Sequence, residues 1–123
     1  MQKKRKYGNT KTIVGGVKFD SKLEQYCHGY LELIGCDFDF QQRTTLVGKF
    51  RFNEKGIQAI TIIVDFVIRK DGKTIYVDTK GFPTETSKIK YKLLKNLIKD
   101  EDNVDVVWLK NKKEVNSFIS SLI

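Results

Sequence analysis

The sequence predicts one α/β domain, a mixed β-sheet flanked by helices in the order helix, three strands, helix, strand, helix. Three observations carry this. Apolar spacing is helical over residues 23–34 and changes to the strand period after residue 38. Two β-branched runs flank Asp71–Gly72, a tight-turn dipeptide, and so predict an antiparallel hairpin. Residues 74–109 then read strand, helix, strand, a unit whose strands lie parallel with a right-handed crossover. A length of 123 residues fits a single domain, 13–123, preceded by a basic flexible arm at 1–12.

Taken in order, residues 13–20 (IVGGVKFD) suggest a short strand or a turn around Gly15–Gly16. Ser21 and Glu24 form an S-x-x-E capping box that opens the first helix. Its stripe is Leu23, Tyr26, Cys27, Tyr30, Leu31 and Ile34, with Gly35 as the stop. A strand is expected near 43–52, a turn at Asn53–Gly56 and a long strand over 57–69. The returning strand runs from Thr74 to Lys80 and is broken by Gly81-Phe82-Pro83. Ser87 or Thr86 caps a second helix that runs to about Lys99, with Ile89, Leu93 and Leu97 facing the core beside Leu94 and Ile98. Tyr91 and the lysines form either a solvated face or a contact with a phosphate backbone. Residues 104–109 form an apolar strand covered on both faces, and a last helix starts near 112 and uses Val115, Phe118, Ile119 and Leu122.

The charge balance is 23 basic residues against 15 acidic ones, a net +8. Such an excess favours a polyanionic partner, because neutralising phosphates releases counterions. It is concentrated at Lys3, Lys4, Arg5 and Lys6, and in the acid-free segment Lys88–Lys99, where Lys88, Lys92 and Lys95 share a face. These are the candidate nucleic-acid contacts. No apolar run approaches the ~20 residues that span a bilayer, and no apolar run follows the basic start as in a signal peptide. A soluble protein of the cytoplasm, without a membrane partner, is expected. Cys27 and Cys36 match no metal-ligand spacing and read as reduced, packed thiols. His28 is the single histidine, which excludes mechanisms built on two.

The chemistry concentrates in the hairpin. Asp65 interrupts the apolar run ITIIVDFVI, where an uncompensated polar group costs about 2–7 kcal/mol. Counting out from Asp71–Gly72 sets Asp65 opposite Asp78, and Lys80 shares the Asp78 face two residues on. Two opposed carboxylates repel unless a cation joins them, and Mg²⁺ takes carboxylate oxygens together with water and phosphate. A lysine at such a site can orient or deprotonate an attacking water, or stabilise charge on a phosphate. The D-x-K spacing occurs three times, at Asp20, Asp71 and Asp78, but only the third lies on a strand paired with a buried aspartate. The plain alternative is an Asp65–Lys80 or Asp78–arginine ion pair that fastens the hairpin. For Glu24, helix capping and an inward catalytic role both fit.

The segments KYGNTKTIVGGVKFDSKLEQY, QAITIIVDFVI and IYVDTKGF, over residues 6–110, resemble phage-encoded endonucleases of the PD-(D/E)XK nuclease superfamily, a group similar to phage endonuclease I. The resemblance implies a restriction-endonuclease-like core and hydrolysis of DNA phosphodiester bonds. It further implies Asp65, Asp78 and the Thr79 carbonyl as ligands of Mg²⁺, with Mn²⁺ able to substitute. Lys80 would act on the water, and Glu24 would assist a metal or water. Gln41 or Gln42 matches a glutamine near the site of some relatives. Val64 stands where the name-giving proline would be, and Asp78 replaces the commoner glutamate. By the same analogy the protein is a homodimer that resolves Holliday junctions or other branched DNA in phage recombination or packaging, in the host cytoplasm. Two further readings are a DNA-binding module of the same fold without catalysis, and a nuclease for linear duplex.

Overall fold

A computed structural model describes residues 12–14 and 16–123, with side chains from residue 16 onward. The proposed contacts Lys3, Lys4, Arg5 and Lys6 lie outside the described residues. The chain forms β1 (Thr12–Val14), β2 (Val17–Phe19), α1 (Lys22–Leu33), β3 (Asp37–Val47), β4 (Phe50–Phe52) and β5 (Lys55–Ile57). It continues with β6 (Ile60–Lys70), β7 (Lys73–Thr79), α2 (Glu85–Ile98), β8 (Val104–Leu109) and α3 (Lys112–Ser121). The main sheet has the order β3-β6-β7-β8; β7 and β8 are parallel and the other pairs antiparallel. The mixed sheet and the flanking helices match the expected α/β class, and two small hairpins, β1-β2 and β4-β5, are added to it.

Each face of the sheet buries its own apolar cluster. On one, Cys27 and Leu31 of α1 and Val115 and Ile119 of α3 meet Phe66, Ile68, Ile75, Val77 and Leu109. On the other, Tyr91, Leu94 and Ile98 of α2 meet Leu46, Ile62, Val64 and Val67. Full burial of an aliphatic or phenyl side chain stabilises by about 1.5–3 kcal/mol, so the two clusters hold the helices against the sheet.

Local chemistry sets the element ends. Ser21 caps α1 by accepting from the Glu24 N–H at 3.1 Å. At the other end Gly35, at φ +69°, donates to Glu32 while Cys36 donates to Leu31, the paired bonds of a Schellman stop. Asp71 and Gly72 both have positive φ, and they join β6 to β7 in the register predicted from that turn, from Lys70–Lys73 to Phe66–Val77.

Several expectations need correction. The strand expected at 43–52 is β3, which starts at Asp37 and stops at Val47, while Phe50–Phe52 leaves to pair with Lys55–Ile57. The long strand consequently begins at Ile60 rather than residue 57. The expected turn is present, centred on Asn53 and Glu54 at positive φ; what differs is that residues 48–49 and 58–59 leave the strand conformation on either side of it. In α1, Tyr30 is exposed. In α2 the cap is Thr84, which accepts from the Ser87 N–H at 3.1 Å, so the helix starts soon after Pro83. Its buried face is Ser87, Tyr91, Leu94 and Ile98, while Ile89 is 57% and Leu97 51% exposed. Tyr91 turns inward because its ring lies on Trp108 of β8, with centroids 4.9 Å apart.

Candidate active site

The site lies where the ladder between β6 and β7 ends. Phe66 and Ile68 face α1, and Val67 faces α2, in ordinary alternation. Val64 and Ile62 also face α2, although they have the parity of Phe66. The strand therefore changes phase at Asp65. The neighbouring strand breaks at the same level: Phe40 pairs with Phe66 and Gln42 with Val64, while Gln41 between them sits at φ +53°. The last ladder pair of the hairpin is Phe66–Val77, one step short of Asp65 and Asp78. Freed from the ladder, one carboxylate oxygen of Asp65 accepts from both the N–H and the hydroxyl of Thr79, each at 2.8 Å.

Glu24 enters from the first turn of α1 and is 1% exposed. Its Oε1 accepts from the Gln41 amide at 2.9 Å and from the Asp20 N–H at 3.4 Å. Ser21 supplies its half of the capping box, but the returning carboxylate reaches Asp20 rather than the cap residue itself. Glu24 thus closes the helix start and faces Asp65. Gln41, not Gln42, is the glutamine at the site; its amide also donates to the Lys18 carbonyl at 3.3 Å.

Asp78 is 2% exposed and its Oδ2 has no hydrogen-bond partner within the protein. The Lys80 amine stands 3.8 Å from that oxygen, beyond hydrogen-bonding distance. The main chain of Lys80 is fixed on β8: its N–H donates to the Leu109 carbonyl at 3.0 Å, and its carbonyl accepts from the Trp108 indole at 2.9 Å. Tyr91, 4% exposed, faces Asp78 with its hydroxyl also unpartnered. Both are orphan polar atoms in a buried setting, where an unmade hydrogen bond costs about 1–3 kcal/mol.

The three carboxyls perturb one another. Burial and then the Glu24 charge push Asp65 up to about 7, against the two hydrogen bonds from Thr79. Burial, followed by the Asp65 charge, holds Asp78 well above the usual carboxylate range, and the nearby Lys80 offsets this only in part. Burial also raises Glu24. Such a cluster is short of positive charge.

Two cavities open over it. One of about 310 Å³ is lined by Asp78, Tyr91, Arg43 and Lys90; the other, of about 510 Å³, by Asp65, Glu24, Thr79 and Phe82. Ile63 and Lys80 line both. The two aspartates therefore open to different cavities about a shared lysine, instead of one face of a flat hairpin. Among the described residues no three His, Cys, Asp or Glu side chains converge as a ready ligand set for a metal. Mg²⁺ needs fewer, since it is commonly bound through one or two carboxylates with water and substrate phosphate completing its shell. The orphan Oδ2 of Asp78 and the charge-poor carboxyl cluster fit that pattern.

Of the candidate residues, Asp65, Asp78, Thr79, Lys80 and Glu24 come together here. Lys88, Lys92 and Lys95 are exposed on α2 and line neither cavity, and Lys88 pairs with Glu85 at 3.3 Å. The fastening ion pair of the sheet lies elsewhere: Arg69 bonds Asp39 at 2.9 Å and Asp37 at 3.3 Å. His28 is enclosed by Phe19, Phe38 and Phe40 and paired with Glu32, a packing role. Sequence reasoning set Tyr91 on the outer face of α2 and missed Arg43. The Tyr91, Leu94, Ile98 spacing was the available signal for the first, and nothing in the sequence singled out the second.

No curated protein matches the sequence. Residues 4–115 match the family described as Protein of unknown function (DUF1064), and the chain belongs to that family.

Proposed function

We propose that the protein is a metal-dependent DNA endonuclease with a restriction-endonuclease-like core of the PD-(D/E)XK type. The observation that carries this reading is the orphan Oδ2 of Asp78, buried beside the Lys80 amine and the Asp65 and Glu24 carboxyls at the meeting of two lysine-lined cavities. Asp65 and Asp78 would hold Mg²⁺, with Mn²⁺ able to substitute. A metal there supplies a more acidic bound water and neutralises charge on the phosphate. Lys80, pinned at its backbone by Leu109 and Trp108, points its amine at the reacting phosphate and orients the water. Thr79 holds Asp65 in place by two hydrogen bonds, and Gln41 holds Glu24. Glu24 adds a third carboxyl beside Asp65 and Asp78, and so favours a cation at that point.

The substrate in this proposal is branched DNA, such as a four-way junction, cut by a homodimer in phage recombination or packaging within the host cytoplasm. The net +8 charge supports a polyanionic substrate. Among the described residues no helix is long and apolar enough to cross a membrane. The test incubates purified protein with a labelled four-way junction and a matched linear duplex, in Mg²⁺ or in EDTA. Cleavage of the junction in Mg²⁺ alone is expected. Equal cutting of both substrates removes the junction assignment, and binding without cutting in Mg²⁺ or Mn²⁺ removes the nuclease.

A further inference from the structure

The two cavities adjoin at Lys80 and Ile63, which line both, and together they make a cleft that borders the carboxyl cluster. Basic side chains line both ends, Lys22, Lys110 and Lys112 on the α1–α3 side and Arg43 and Lys90 on the α2 side, flanking the carboxyls of Asp20, Glu24, Asp65 and Asp78. The first turns of α1 and α3, with Ser21 and Asn111 as caps, open into the larger end, and add the positive ends of two helix dipoles. Lys112 is held over the Tyr26 ring at 5.0 Å. Phe82, 75% exposed, lines the same end beside Asp65 and Lys80. A cationic groove with a flat aromatic side chain along it is how proteins hold an unpaired nucleic-acid strand: phosphates follow the charges and a base stacks on the ring.

We infer that this cleft holds a single DNA strand, with Lys22, Lys110 and Lys112 holding phosphates on one side of Lys80, Arg43 and Lys90 on the other, and Phe82 carrying an unpaired base. The inference rests on the nuclease reading and deepens it, because it makes local unpairing at the cut site the feature recognised. It also moves the phosphate contacts from the exposed lysines of α2 into the cleft.

The experiment measures fluorescence anisotropy of a forked duplex with single-stranded arms and of a fully paired duplex, with Ca²⁺ in place of Mg²⁺, across a salt series. Wild type, a Lys22→Ala/Lys110→Ala/Lys112→Ala variant, a Lys88→Ala/Lys92→Ala/Lys95→Ala variant and Phe82→Ala are compared, each checked for folding by circular dichroism. The log–log salt slope on the fork should fall by about 2 in the cleft variant, at ~0.7 per phosphate on single strands. It should stay unchanged in the α2 variant. Phe82→Ala should weaken fork binding by about tenfold, within the range for one lost stacking contact, and leave paired duplex unaffected. An unchanged slope in the cleft variant, or equal loss on fork and duplex for Phe82→Ala, overturns the inference while the nuclease reading stands. Absence of DNA binding by wild type overturns both.

Discussion

One carboxylate oxygen of Asp65 accepts two hydrogen bonds from Thr79, from the main-chain N–H and from the hydroxyl, each 2.8 Å long. This pairing takes over where the strand ladder stops, one step beyond Phe66–Val77. Thr79→Val keeps the shape and the N–H but removes the hydroxyl. Urea denaturation at pH 7 should show a loss of about 1 kcal/mol. A loss below a few tenths would mean that the N–H alone positions Asp65.

Asp65 also sets a pH dependence. Its folded-state value of about 7 lies above its ordinary 3.8, so folding favours the protonated form. The stability it contributes is full below about 3.8 and is lost as pH rises through about 7. Asp78 and Glu24 are shifted in the same direction. The metal-free protein should therefore be more stable at pH 5 than at pH 8, by at least ~1 kcal/mol in urea. Asp65→Asn, whose amide oxygen can still accept from Thr79, should flatten that profile and raise stability at pH 8. Addition of Mg²⁺ at pH 8 should raise the wild-type midpoint, since a ligand of the folded state stabilises it. An identical fall in Asp65→Asn and wild type would contradict this.

Gln41 combines a left-handed backbone with the hydrogen bond to Glu24. For a non-glycine residue that conformation costs about 1–2 kcal/mol. Gln41→Gly relieves the backbone and deletes the amide, so the two changes should nearly cancel in thermal unfolding, while the cleavage rate falls by about tenfold. Gln41→Ala keeps the strain and loses the amide, and should be the less stable of the two. Equal activity in Gln41→Gly and wild type would show that Glu24 needs no partner there.

The Tyr91 hydroxyl is buried without a hydrogen bond, so Tyr91→Phe should stabilise the protein, by about 1 kcal/mol or more in urea denaturation. A loss above about 1 kcal/mol would mean that the hydroxyl bonds Asp78 in solution.

What the sequence makes legible, and what it hides, follows from how each feature is encoded. Asp71–Gly72 carries its turn type in its residues, so the hairpin register can be counted from the sequence alone. The turn at Asn53–Glu54 is legible too, but the breaks at 48–49 and 58–59 set the β4-β5 hairpin apart from strands that read as continuous with it. In α2, Ile89, Leu93 and Leu97 are as periodic as Tyr91, Leu94 and Ile98; the Trp108 ring on the sheet decides between them. The phase change at Asp65 and Gln41 is a backbone event on two non-glycine residues and leaves no mark in the pattern. Glu24 is ambiguous between cap and site because one of its oxygens accepts both from the Asp20 N–H at the helix start and from the Gln41 amide beside Asp65.

The most direct test of the nuclease assignment is single-turnover cleavage of a four-way junction in Mg²⁺ by wild type, Asp78→Asn and Lys80→Ala, with junction binding measured in Ca²⁺ alongside. Both variants should bind the junction within about threefold of wild type and lose at least ~10³-fold in cleavage rate, about 4 kcal/mol of transition-state stabilisation. Cleavage by Asp78→Asn at the wild-type rate would contradict the assignment.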